Sequence, residues 1–133
     1  MKEIIDVTKR WIAKADKDLN RARILLDYRD FEGSLFNSQQ AAEKFLKAFL
    51  VFHNKPIKKT HNIKELIKEC SLIDKEFLKL YELRTEILFP LGVKIRYPID
   101  VIVSEEEAKE AIEIAEKVKE FVIKKLKEKG LEI

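Results

Sequence analysis

Residues 39–50 of this 133-residue chain read QQAAEKFLKAFL, a stretch that predicts an α-helix. Alanine, leucine, lysine, glutamate and glutamine are among the residues that most favour an α-helix. Apolar positions recur at helical spacing within the stretch and on both sides of it, so we predict one helix over residues 31–53, with Asp30 as its N-cap. Its core-facing residues are Leu35, Ser38, Ala42, Phe45, Leu46, Phe49 and Phe52.

The same helix carries apolar residues on a second face. Phe36 and Val51 lie opposite the core-facing residues, beside Gln40, Lys44 and Lys47. A helix with two apolar faces is usually central in its fold or in contact with a partner. We therefore predict a homodimer whose interface includes Phe36 and Val51.

Helical patterns extend along the rest of the chain. They predict a first helix over residues 7–28, a short helix over residues 62–70 and a fourth helix over residues 74–88. Residues 89–103 contain two prolines and one glycine and lose the helical period. Ser104 to Glu107 then form a capping box that begins the last helix. The pattern predicts a single all-α domain over residues 1–133: an up-and-down helical bundle of four long helices and a short one, with one long irregular loop before the last helix.

Composition narrows the class of protein. The single cysteine, Cys70, fits a reducing compartment, and the first residues lack the apolar region of a signal peptide. No apolar run reaches the ~18 residues of a membrane span. We therefore expect a cytoplasmic protein without membrane contact. The richness in Lys and Glu, with few Gln, Asn, Cys and Met, is typical of thermophilic proteins.

Several kinds of catalytic or cofactor site are missing from the sequence. The three glycines are far apart, so no glycine-rich phosphate loop is present. Cys70 lies on an apolar helical stripe, which favours a core position over a nucleophile or metal ligand. No Glu-x-x-His pair occurs, which argues against a di-iron bundle. We predict no metal, no cofactor and no catalytic residue.

One group of candidates for a nucleotide or phosphate site lies on the helix over residues 31–53. Gln40, Lys44 and Lys47 share one helical face, so their side chains can converge on one anion. The alternative is a solvated face with an ordinary Glu43–Lys47 ion pair. His61, at the start of the short helix, joins these candidates, although a capping or packing role is the alternative.

A second group of phosphate-binding candidates follows later in the chain. Arg84 lies on an otherwise apolar helical face, where a guanidinium needs a charged or hydrogen-bonding partner. Arg96 and Tyr97 end the irregular loop, and such a pair can hold a phosphate and stack a base. The alternatives are an ion-paired Arg84 and a loop anchored by Tyr97.

Two basic patches offer another place for phosphates, although solvated helix faces are the alternative. One is the outer stripe of the first helix, formed by Arg10, Lys14, Lys17 and Arg21. The other comprises Lys55, Lys58, Lys59, Lys64 and Lys68.

The stretch at residues 39–50 resembles the signature helix of the HEPN (higher eukaryotes and prokaryotes nucleotide-binding) family. Other motifs resemble the family in the expected order, over about residues 7–126: Trp11, Ala15, Asp18, Leu19 and Ala22; Thr60-His61-Asn62-Ile63 with Leu66; Arg96-Tyr97-Pro98; and an alanine-rich last helix. The resemblance implies a helical bundle that commonly dimerises. It also implies a nucleotide-binding partner of a minimal nucleotidyltransferase, in a two-component or toxin–antitoxin pair.

Other members of that family are metal-independent endoribonucleases, which carry an Arg followed four to six residues later by a His. Both histidines of this chain, His53 and His61, precede Arg84 and Arg96, so that spacing is absent. We therefore predict a binding and assembly protein that does not cleave RNA efficiently. The alternatives are an RNA-cleaving toxin and a basic RNA-binding helical module.

Overall fold

A computed structural model describes residues 2–57, 59–83, 88 and 102–133. The described residues form α1 (Lys2–Asp27), α2 (Phe31–Phe52), α3 (Ile63–Ile73), a 3₁₀ helix (Lys75–Glu82) and α4 (Glu105–Glu128), without a strand among them. The predicted all-α bundle is confirmed. No helix in this part of the chain is long and apolar enough to cross a membrane.

Helix α2 lies at the centre of the bundle, because it packs against α1, α3 and α4. Its small residues Ala41, Ala42 and Ala48 are fully buried and let the neighbouring helices approach closely. The hydroxyl of Ser34 donates to the carbonyl of Ala22 at 2.7 Å and ties the start of α2 to the end of α1. The central position explains why this helix is apolar on more than one face.

Two of the helices begin at the capping residues that the sequence predicts. The carboxylate of Asp30 accepts a hydrogen bond from the Gly33 amide at 2.9 Å, so the predicted N-cap of α2 is confirmed. Ser104 and Glu107 form the predicted capping box of α4. Cys70 is buried, as its stripe predicts, and its thiol donates to the carbonyl of Leu46 at 3.6 Å.

The predicted fourth long helix is wrong in type and length. Residues 75–82 form a 3₁₀ helix, and Leu83 after it has an extended backbone. The reason lies in the spacing of the apolar residues, because Phe77, Leu80 and Leu83 recur at every third position and all pack into the core. Three residues per turn place such side chains in one row. The described bundle therefore has three long α-helices, one short α-helix and one 3₁₀ helix.

Candidate phosphate-binding groove and polar cluster

Asp18 is a buried carboxylate on the side of α1 that faces α2, with its side chain 5% exposed. One oxygen accepts from the guanidinium of Arg21 at 3.1 Å, and the other accepts from the ammonium of Lys44 at 2.5 Å. Both oxygens are paired, which a carboxylate removed from water requires. The contact with Lys44 joins α1 to α2 and fixes the position of the lysine.

Glu43 is a second buried carboxylate and lies beside Lys44 in the sequence. Its oxygens pair with Lys47, one turn further along α2 at 3.0 Å, and with Nδ1 of His61 at 2.8 Å. The side chains of Glu43 and Lys47 are 6% and 7% exposed, whereas that of His61 is 63% exposed. The buried Glu43 therefore holds the solvent-exposed imidazole of His61 in place, just before α3 begins.

A groove of about 290 Å³ lies between α1 and α2 above Asp18. Among the described residues, its lining consists of one carboxylate and four cationic side chains: Asp18, and Lys14, Lys17, Arg21 and Lys44. Because four of these five side chains are cationic, the groove has a net positive charge, which attracts ions of opposite sign. The groove is therefore suited to a phosphate or another small anion.

The predicted phosphate-binding residues of α2 separate into two neighbouring places. Lys44 lines the groove, whereas Lys47 is buried against Glu43, and Gln40 is half-buried on the same helix. The Glu43–Lys47 pair that was the alternative to an anion site is present, but it is buried rather than solvated. His61 lies beside Lys47 through their shared partner Glu43.

The remaining phosphate-binding candidates, Arg84, Arg96 and Tyr97, lie outside the described residues, as does Lys58 of the second basic patch. Participation of all seven candidates in a nucleotide site stays a prediction. No group of three or more His, Cys, Asp or Glu side chains in the described segments is arranged to hold a metal ion.

The two buried carboxylates were not predicted as parts of a site. Asp18 precedes Leu19, a buried apolar residue of α1, and a charged residue next to a core position is the signal that points to a buried pair. Gln39 was also not predicted as part of a site. Its side chain is buried, and neither amide atom has a hydrogen-bond partner in the described structure. It lies one helical turn before Glu43, so the polar cluster of Glu43, Lys47 and His61 extends beneath the surface toward the start of α2.

The two residues proposed for the dimer interface differ in exposure. Phe36 is 47% exposed, which leaves much of a large aromatic ring open to solvent. Val51 is half-buried at the other end of α2. The homodimer stays a prediction.

Comparisons with known proteins agree with the motifs on α1 and α2. The model of the family described as "HEPN domain" matches residues 8–128. A protein of Methanocaldococcus jannaschii (strain ATCC 43067) named "Putative toxin MJ1304" is 31% identical over 140 residues, which cover 94% of this chain and 91% of the relative. No solved structure matches the chain. With nine-tenths of its length matched by the family model, the chain belongs to the HEPN family.

Proposed function

We propose that this protein is the HEPN component of a cytoplasmic two-component pair, with a toxin-like role. In this proposal it forms a homodimer, binds a nucleotide through its phosphates and has a minimal nucleotidyltransferase as its protein partner. Family membership and the name of the M. jannaschii relative support the toxin-like part. The groove between α1 and α2 is the single observation that carries the nucleotide-binding part.

The charges in the groove favour a phosphate over a neutral ligand. Asp18 neutralises part of the charge of Arg21 and Lys44 and holds both side chains at its two oxygens. Lys14 and Lys17 add two exposed ammonium groups on the same side of α1. The groove thus keeps a surplus of positive charge on a preorganised base, and hydrogen bonds from such groups to phosphate oxygens are among the strong ones.

Calorimetry with ATP and GTP tests the nucleotide-binding proposal. We expect binding to wild type, and at least a tenfold weaker affinity in Lys14→Glu/Lys17→Glu, because two attractive charges become repulsive next to the phosphates. Lys117→Glu/Lys124→Glu on α4 is the matched control, since it makes the same change of charge at two exposed sites away from the groove. A wild type that binds neither nucleotide at millimolar concentration would reject the proposal.

The protein partner is tested by gene neighbourhood and co-purification. We expect a short nucleotidyltransferase gene beside the gene of this protein, and a complex of the two products after co-expression. Two products that elute separately at micromolar concentration would contradict this part of the proposal and leave the groove unaffected.

The second candidate function is metal-independent RNA cleavage, and the His61–Glu43 contact favours it. A carboxylate on Nδ1 fixes the imidazole tautomer and leaves Nε2 able to accept a proton, which is the arrangement of an oriented general base. A cleavage assay in chelator with wild type and His61→Ala decides between the candidates. We expect no efficient cleavage by wild type. Robust cleavage that His61→Ala abolishes would replace the binding function with the catalytic one.

A further inference from the structure

We propose that the exposed stripe of α1 from Lys14 to Tyr28 binds a short single strand of nucleic acid, with phosphates on Lys14, Lys17 and Arg21 and a base stacked on Tyr28. This inference rests on the proposed phosphate-binding role of the groove and names the class of its ligand. It adds Tyr28, which lies beyond the groove, to the binding surface.

The residues of this stripe are aligned along the helix. Lys14, Lys17, Arg21 and Tyr28 follow each other at steps of three, four and seven residues, which keeps them on one side of α1. The amide of Tyr28 donates to the carbonyl of Ile24 at 3.1 Å, so the helical geometry continues to the tyrosine. Fourteen residues at 1.5 Å each give about 21 Å, the span of a single strand of roughly four nucleotides.

Charge and exposure favour a polyanion along this stripe. The lysines and the arginine are exposed, and Tyr28 is 81% exposed. Two acidic residues of the same segment lie off the stripe, because Asp16 pairs with Lys119 of α4 and Asp27 points to a different side from its neighbour Tyr28. Asp18 lies beneath the stripe, where it is buried and paired with Arg21 and Lys44. A basic surface that ends at an aromatic side chain combines the two contacts by which proteins hold single strands.

The size of the groove favours a strand over a free nucleotide as the ligand. Its volume of about 290 Å³ is at the lower limit of pockets that enclose a whole small molecule. The groove suits a phosphate, so the base of a bound nucleotide lies outside it. Stacking on Tyr28 at the end of the stripe becomes available once the ligand is several nucleotides long.

Fluorescence anisotropy with labelled oligoadenylates of two to eight nucleotides tests the inference, with inorganic pyrophosphate as the probe of the groove alone. We expect affinity to rise with length up to about four nucleotides and then to level off. The logarithm of affinity should fall with the logarithm of salt concentration with a slope of about −2, since single strands contribute about 0.7 per neutralised phosphate.

Variants of Tyr28 distinguish the stacking contact of a base from phosphate binding in the groove. Tyr28→Ala is expected to weaken binding of the tetranucleotide about tenfold, while Tyr28→Phe keeps it, because stacking needs the ring and not the hydroxyl. Neither variant should change the affinity for pyrophosphate. Circular dichroism checks that both variants fold, as expected for a side chain so exposed.

The outcomes distinguish this inference from the function on which it rests. Pyrophosphate binding without dependence on oligonucleotide length, or with no effect of Tyr28→Ala, would overturn the inference and leave the proposed nucleotide site intact. Tighter binding of a duplex than of the single strand would also overturn it. Absence of pyrophosphate, ATP and GTP binding would overturn both.

Discussion

Replacing Glu43 by leucine is expected to lower the free energy of unfolding by about 3–5 kcal/mol, because it leaves a buried charge without its counter-ion. The side chain of Lys47 is 7% exposed, and its ammonium pairs with Glu43 at 3.0 Å. Without the carboxylate, the lysine must lose its proton or draw water into the bundle, and both cost free energy. His61 also loses the partner that orients its ring. Urea denaturation followed by circular dichroism measures the change.

A double-mutant cycle is the control for this prediction. Lys47→Met leaves Glu43 with His61 as its partner, so we expect a smaller loss than for Glu43→Leu. The double variant Glu43→Leu/Lys47→Met buries two apolar side chains of similar volume, and we expect it to be more stable than Glu43→Leu alone. A Glu43→Leu variant within about 0.5 kcal/mol of wild type would show that the pair is solvated in the native protein.

The second large effect is expected when a charge is introduced at a buried phenylalanine of α2, in contrast to an exposed one. Phe45 is fully buried, so Phe45→Glu is expected to prevent folding, because it adds a buried charge to a loss that costs about 3–5 kcal/mol even for alanine. Phe36 is 47% exposed, so Phe36→Glu is expected to leave the helix content unchanged. In a dimer that buries Phe36, the new charge weakens association at least tenfold.

Light scattering and circular dichroism measure the two effects separately. We expect dimeric wild type, folded and monomeric Phe36→Glu, and an unfolded or aggregated Phe45→Glu. A wild type that is monomeric at micromolar concentration would contradict the homodimer. A Phe36→Glu variant that remains dimeric would place the interface elsewhere.

The sequence predicted those parts of the fold that depend on local patterns. The apolar period of residues 31–53 predicts α2 because every turn of the helix contributes a core residue. Its N-cap is also a local feature, since Asp30 accepts its hydrogen bond from a residue only three positions away. The capping box at Ser104 and Glu107 is equally local. The start of α1 at Lys2 rather than near residue 7 is a smaller difference, at a helix end where patterns are weakest.

The candidate site could be predicted only in part, because its charges are paired across the fold. Lys14, Lys17 and Arg21 are visible as a basic stripe, and Lys44 as a cation of the central helix. Their common groove depends on the Lys44–Asp18 contact, which joins residues 26 positions apart. No helical period shows which side of α1 faces Lys44, and only the packed structure brings these groups together.

Backbone NMR of isotope-labelled protein titrated with pyrophosphate shows directly whether the groove between α1 and α2 binds phosphate. We predict saturable shifts of the amide signals of Lys14, Lys17, Arg21 and Lys44, with the exposed lysines Lys117 and Lys124 of α4 unchanged. No shift at millimolar pyrophosphate, or equal shifts on α1 and α4, would show that the groove is not a phosphate-binding site.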